Sequence, residues 1–174
     1  FINSYFISES LGDLEQAIID IQSLNISESK THTLVIDQDV NITGTPRTIT
    51  IPIDVPVYVQ RGFKFITPLV SRSIIDETNP ITGTVAQNYI QLQINGLFTA
   101  DRDLQIFESD GLVWFGEKSV KEVNASWFGV NTGSASFADS NVYSLQKAIN
   151  SIVLDKNKRA TTNLKLSNGN IYLS

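Results

Sequence analysis

From Thr33 onward the chain is written in short runs of β-formers with almost no room between them. "TLVID", "VNIT", "RTITIP", "PVYVQ" and "FKFI" follow one another, and "YIQLQINGLF", "LQIF", "LVWFG" and "SVKEV" come later. β-Branched and aromatic residues alternate with polar ones at period two, the signature of half-buried strands. The breaks are two or three residues long: Asp-Gln-Asp, Gly-Thr-Pro, Asp-Val-Pro and Arg-Gly. A sandwich spaces its turns about 8–12 residues apart between strands of similar length. The tighter rhythm suits a parallel β-solenoid, in which each coil turns a corner and inward side chains stack along the axis. Leu34 and Ile36, Ile49 and Ile51, Val57 and Val59, Phe63 and Phe65, and Leu92 and Ile94 are then the inward positions. A Greek-key β-sandwich is the alternative. Pro52 and Pro56 lack the N–H that a ladder requires and belong at strand ends or corners.

Two helical stretches bracket this region. In "ISESLGDLEQAIIDIQSLN" the residues Leu11, Leu14, Ile18 and Ile21 recur at spacings of three and four, with Ser10 and Asp13 placed as an N-terminal capping box. A single amphipathic helix docked on the body is favoured over a short coiled coil, because sustained heptads are absent. In "DSNVYSLQKAINSIVL" the residues Val142, Leu145, Ala148, Ile149, Ile152 and Val153 line one face, with Asp139 or Ser140 as the cap. "LKLSNGNIYLS" then returns to strand, turning at Asn168-Gly169. Two polar stretches, 67–88 and 131–138, read as loops, the first a long projection from the body.

Composition excludes several function classes. Thirteen basic against eighteen acidic residues leave a net charge of −5, which disfavours nucleic acid and anionic membranes as partners. No apolar run approaches the roughly 18 residues that span a bilayer. With no cysteine there are no disulfides and no thiolate metal sites. His32 is the only histidine, so a zinc site built from histidine and cysteine is excluded, and no Gly-x-Ser-x-Gly element accompanies it to suggest a serine triad. No cofactor or metal is expected. The acidic stretch Asp101, Asp103, Glu108 and Asp110 is the densest source of the paired carboxylates that glycoside hydrolysis needs. Arg102 intervenes, however, and the segment reads as a solvated corner, so no catalytic residue is assigned. Three Asn-x-Ser/Thr sequons, at Asn25, Asn41 and Asn124, carry no weight outside a eukaryotic secretory route. The chain has no methionine, so it is expected to be a fragment of a longer protein.

Aromatic residues supply the remaining candidates. Trp114, between Val113 and Phe115, alternates with neighbours of which one must face outward, making it a candidate for stacking on a glycan together with the 67–88 loop. Trp127 and Phe128, followed at once by Gly129, are either a stacking platform or a plug that seals two pieces of structure together.

"LQINGLFTADRDLQIFESDGLVWFGEKSVKEVNASWFGV", followed by "SNVYSLQKAIN" and "NIYLS", resembles the N-terminal region of pectate-lyase-like, right-handed parallel β-helix proteins, as in bacteriophage tail spikes and tail fibres. Its specific parts are Ile94-Asn95-Gly96, Gln105-Ile106-Phe107, Trp127-Phe128-Gly129 and the segment Leu145–Ile149. The loop after Gly129 departs from the family: the lysine, glycine, aspartate and acidic pair usual there are missing, and only Asp139 is acidic. The resemblance implies a mainly β protein in three parts: an N-terminal helix and linker over 1–30, a solenoid-like β-rich domain over 31–130, and a capping helix with the first coil of a main β-helix over 131–174. Trp127, Phe128 and Gly129 would form the joint, and Val142, Leu145, Ile149 and Ile152 the core-facing side of the cap. It also implies a structural attachment module on a virion tail, a homotrimer meeting tail or baseplate proteins and, through the full-length chain, host surface polysaccharide. The alternative is the non-catalytic N-terminal part of a polysaccharide lyase or glycoside hydrolase, at a bacterial surface or secreted, with any depolymerase activity lying elsewhere in the protein.

Overall fold

A computed structural model describes residues 3–67, 90–108, 113–153, 157 and 159–174. It opens with strand β1 (Ser4–Phe6), a 3-10 turn (Ile7–Ser10) and helix α1 (Leu14–Glu28). Ser10 does not start that helix. Its hydroxyl bonds the Ile7 and Asp13 carbonyls, Leu11 and Gly12 turn through positive φ, and Asp13 is the cap, accepting from the Gln16 N–H at 3.0 Å. α1 buries Leu14, Ala17, Ile18 and Ile21 and leaves Ile19 and Ile26 in solvent.

The strands that follow are short. They are β2 (Thr33–Ile36), β3 (Val40–Asn41), β4 (Arg47–Ile51), β5 (Val57–Val59), β6 (Phe65–Ile66), β7 (Ile90–Ile94), β8 (Phe98–Thr99), β9 (Phe107–Glu108), β10 (Val113–Phe115), β11 (Glu122–Asn124) and β12 (Asn163–Lys165). Helix α2 (Ala138–Asn150) lies between the last two. Among the described residues every strand pair is parallel, in four small sheets ordered β1-β2-β5-β8, β10-β7-β4, β3-β6-β9 and β11-β12. Register sets like residues against like: Leu34, Val57 and Phe98 align, as do Ile51, Ile94 and Phe115, and Val40, Phe65 and Phe107. The proline reading places the breaks correctly, since β4 ends one residue before Pro52 and β5 starts one residue after Pro56. Between them the Val55 N–H reaches the Pro52 carbonyl at 3.0 Å.

This is not the mainly β, right-handed parallel β-helix expected from the strand rhythm, and it is not the alternative sandwich. Among the described residues the sheets stay small and separate, no closed barrel or solenoid is formed, and helix and strand take equal shares, so the fold is mixed α/β. Among the described residues β12 pairs with β11, setting Leu164 opposite Val123. The physical reason lies in strand length. A strand of two or three residues makes only one or two ladder bonds on each side before a corner, and 3-10 turns and helices take up the chain between ladders. The sandwich fails on direction, because it needs antiparallel neighbours and none is present among the described residues.

One apolar cluster runs from Tyr5 and Ile7, through the α1 face and the aligned strand residues, to Trp127, Phe128 and Ala148. Phenylalanines form its centre: Phe65 and Phe107 stack at 5.7 Å, Phe98 lies 5.8 Å from Phe107, and Phe98 and Phe115 meet at 5.3 Å.

Candidate functional site

The corner from Asn124 to Gly129 is where the sequence candidates converge. β11 ends at Asn124, the chain turns through a 3-10 segment (Ala125–Phe128), and Gly129 closes it at φ 88°, a backbone that favours glycine. A Cβ at Gly129 would come within 2.9 Å of the Gln105 amide. The turn drives two rings into the core. Trp127 meets Phe98 edge-on at 5.4 Å and Phe115 at 5.9 Å, and Phe128 meets Phe107 at 5.2 Å. The indole Nε1–H, the one polar atom carried inward, donates to the Asp101 carbonyl at 2.7 Å. The Trp127 carbonyl accepts from the Ile106 N–H at 2.9 Å, and the Ser126 hydroxyl donates to the Arg102 carbonyl. With Trp127 4% and Phe128 3% exposed, the pair is a plug and not a platform.

Trp114 is placed differently from its expectation. It lies opposite Gln93 in the β10–β7 ladder and is 9% exposed, so its face is not available for stacking on a glycan. The loop paired with it in that reading, apart from Thr67, lies outside the described residues, as does Asp110. The other acidic candidates have local roles. Asp101 accepts from the Asp103 N–H at 2.9 Å and lies 3.6 Å from the Arg61 guanidinium, and Glu108 pairs with Lys64. His32, buried, bonds Asn25 Oδ1 through Nδ1 at 2.9 Å and Glu28 Oε2 through Nε2 at 3.2 Å, fastening the end of α1 to the start of β2. Among the described residues no group of three or more His, Asp or Glu is placed to hold a metal ion.

α2 presents a different face to the body from the one its apolar periodicity selects. Asn141, Ser144 and Ala148 are buried, Leu145 and Ile152 are half-buried, and Val142 and Ile149 stand exposed. Small residues win because the helix lies close over the 125–129 turn, where a Cβ on Gly129 would already be 3.5 Å from the Ser144 hydroxyl. Asn141, fully buried, is the residue sequence reasoning missed. Its Oδ1 accepts from the Asn131 N–H at 2.8 Å, and its Nδ2 donates to the carbonyls of Asn131 at 2.8 Å and Tyr172 at 3.1 Å. An asparagine on the flank of an apolar stripe was the available signal, since a buried amide must find partners. The helix is capped neither by Asp139 nor by Ser140: it starts after Phe137, with no side-chain cap, and the Ser140 hydroxyl bonds the Phe137 carbonyl at 3.0 Å.

No protein-family model, curated protein or solved structure matches this chain.

An open groove of about 290 Å³ lies between the start of α1 and the β3–β4 corner. Its cation, Arg47, is already engaged, forking onto Glu15 at 2.7 and 3.2 Å and donating to the Thr43 and Thr45 carbonyls. The bond to Glu15 holds the guanidinium above its ordinary pKa. Among the described residues no helix is long and apolar enough to cross a membrane.

Proposed function

We propose that this chain is a non-catalytic structural and attachment module of a virion tail spike or tail fibre, working as a homotrimer that links tail or baseplate proteins to a part of the assembly that meets host polysaccharide. The observation that carries the reading is how the residues of the family-like motifs are used. Trp127, Phe128 and Gly129 build an aromatic plug. Gly96 admits the Val55 carbonyl, which a Cβ there would meet at 2.0 Å. Asp101 serves a turn and an ion pair. Side chains suited to gripping or cutting a sugar are thus occupied in holding the chain together, as a connector requires. Leu11, Ile19 and Ile26, exposed beside and along α1, favour self-association, because apolar surface of that kind is stabilised by a partner.

The test has two arms on one preparation. Light scattering across a concentration series is expected to give the mass of three chains, and incubation with host capsular polysaccharide is expected to release no reducing ends. A strict monomer at high concentration, or turnover of the polysaccharide, contradicts the proposal.

A further inference from the structure

A small pocket of about 40 Å³ lies where the C-terminal end of the β11–β12 pair meets the Arg102–Asp103 corner. Asn124 and Lys165 are register partners on the two strands, and both line it. Asn124 is 5% exposed, and its amide carries two N–H donors. Ser167 lines the same space, and its hydroxyl is the one buried side-chain oxygen or nitrogen left without a partner among the described residues. Buried polar groups in native proteins are nearly always satisfied, so an orphan hydroxyl lining a cavity points to something that fills it.

The charges narrow the choice. Arg102 enters no ion pair among the described residues, and Lys165 has only a loose one, 3.8 Å from Glu122 Oε1. Against these two cations, Asp103 is the one carboxylate lining the pocket among the described residues. The guanidinium, the ammonium, the Asn124 amide and the Ser167 hydroxyl are all donors. A cavity needs roughly 10–15 Å³ of such space to hold one water, so this one has room for a small guest. We infer that this pocket binds one small inorganic anion of halide size, chloride in practice, held by Arg102, Lys165, Asn124 and Ser167. Bound there, the anion ties the β12 segment to the 101–103 corner against which the Trp127 indole is fastened. This site is independent of the attachment role.

Chloride binding to the folded state alone raises stability by mass action. The experiment compares thermal unfolding in sodium chloride and in sodium gluconate at matched ionic strength, gluconate being too large to enter. The expected result is a melting temperature about 3 °C higher in chloride, with an anomalous bromide peak in the pocket of crystals grown in bromide. Arg102→Gln is the variant of choice. Arg102 is exposed, and its carbonyl, which the Ser126 hydroxyl bonds, is unchanged by substitution. It is expected to remove the chloride-specific gain while leaving the melting temperature in gluconate where it was. Equal melting in the two salts, a gain that persists in Arg102→Gln, or a pocket holding only water in the bromide crystals overturns the inference.

Discussion

Tyr5 shows how one buried polar atom sets a pH response. Its ring lies in the core at the N-terminal end, and its hydroxyl donates to Asp20 Oδ2 at 2.7 Å. Burial, reinforced by the Asp20 carboxylate, pushes the phenol up to about 12, and the same bond holds the Asp20 carboxyl below its ordinary value. The folded phenol keeps its proton where an unfolded tyrosine, with a pKa of about 10, loses it. The stability this group contributes is therefore complete below pH 10 and is lost as pH rises toward 12. For Asp20 the sign is opposite: its contribution is present above the ordinary carboxylate range and lost as pH falls through the lowered value. Absorbance titration of the phenolates is expected to show one late-titrating tyrosine that disappears in Tyr5→Phe, along with steeper acid unfolding of the wild type than of the variant. A wild-type titration in which every tyrosine follows the ordinary curve contradicts this account of the contact.

At the scale of elements, strand positions and helix existence are legible in the sequence, whereas sheet extent and helix orientation are not. Thr33–Ile36, Arg47–Ile51 and Ile90–Ile94 lie where period-two alternation places them, because alternating β-formers encode a buried face locally. How many such strands join one sheet depends on partners tens of residues away, and no local period carries that. α2 shows the same limit: hydrophobicity puts Val142 and Ile149 on the inner face with Ala148, but close approach to the Gly129 turn buries Ser144 and Ala148 and leaves the two larger side chains exposed. The site was legible in part. The Trp-Phe-Gly triplet signals a turn that buries two rings, but the indole's hydrogen bond to the Asp101 carbonyl depends on a corner 26 residues earlier. Asn141 is the element-scale anchor, because its amide ties α2 to both the 131 loop and the C-terminal segment. Asn141→Ala leaves three backbone groups without their partner, and we expect a loss of roughly 2–3 kcal/mol. Denaturant unfolding should show a lower midpoint with an unchanged slope. A loss below about 0.5 kcal/mol, the range of ordinary surface substitutions, contradicts the anchoring role.

At the scale of the molecule, the four small parallel sheets and two helices of the described residues share one apolar cluster, and its aromatic centre is where the separate ladders meet. Phe98 belongs to one sheet, Phe65 and Phe107 to a second and Phe115 to a third, and the 125–129 turn brings Trp127 and Phe128 against them. Full burial of one such ring is worth about 2–3 kcal/mol, so the plug is a principal tie between sheets that, among the described residues, share no strand. The most direct test is fluorescence of Trp114→Phe, which leaves Trp127 as the only indole. A sealed plug predicts blue-shifted emission and strong protection from acrylamide until global unfolding. Red-shifted emission from a folded protein, quenched as readily as free tryptophan, would contradict it.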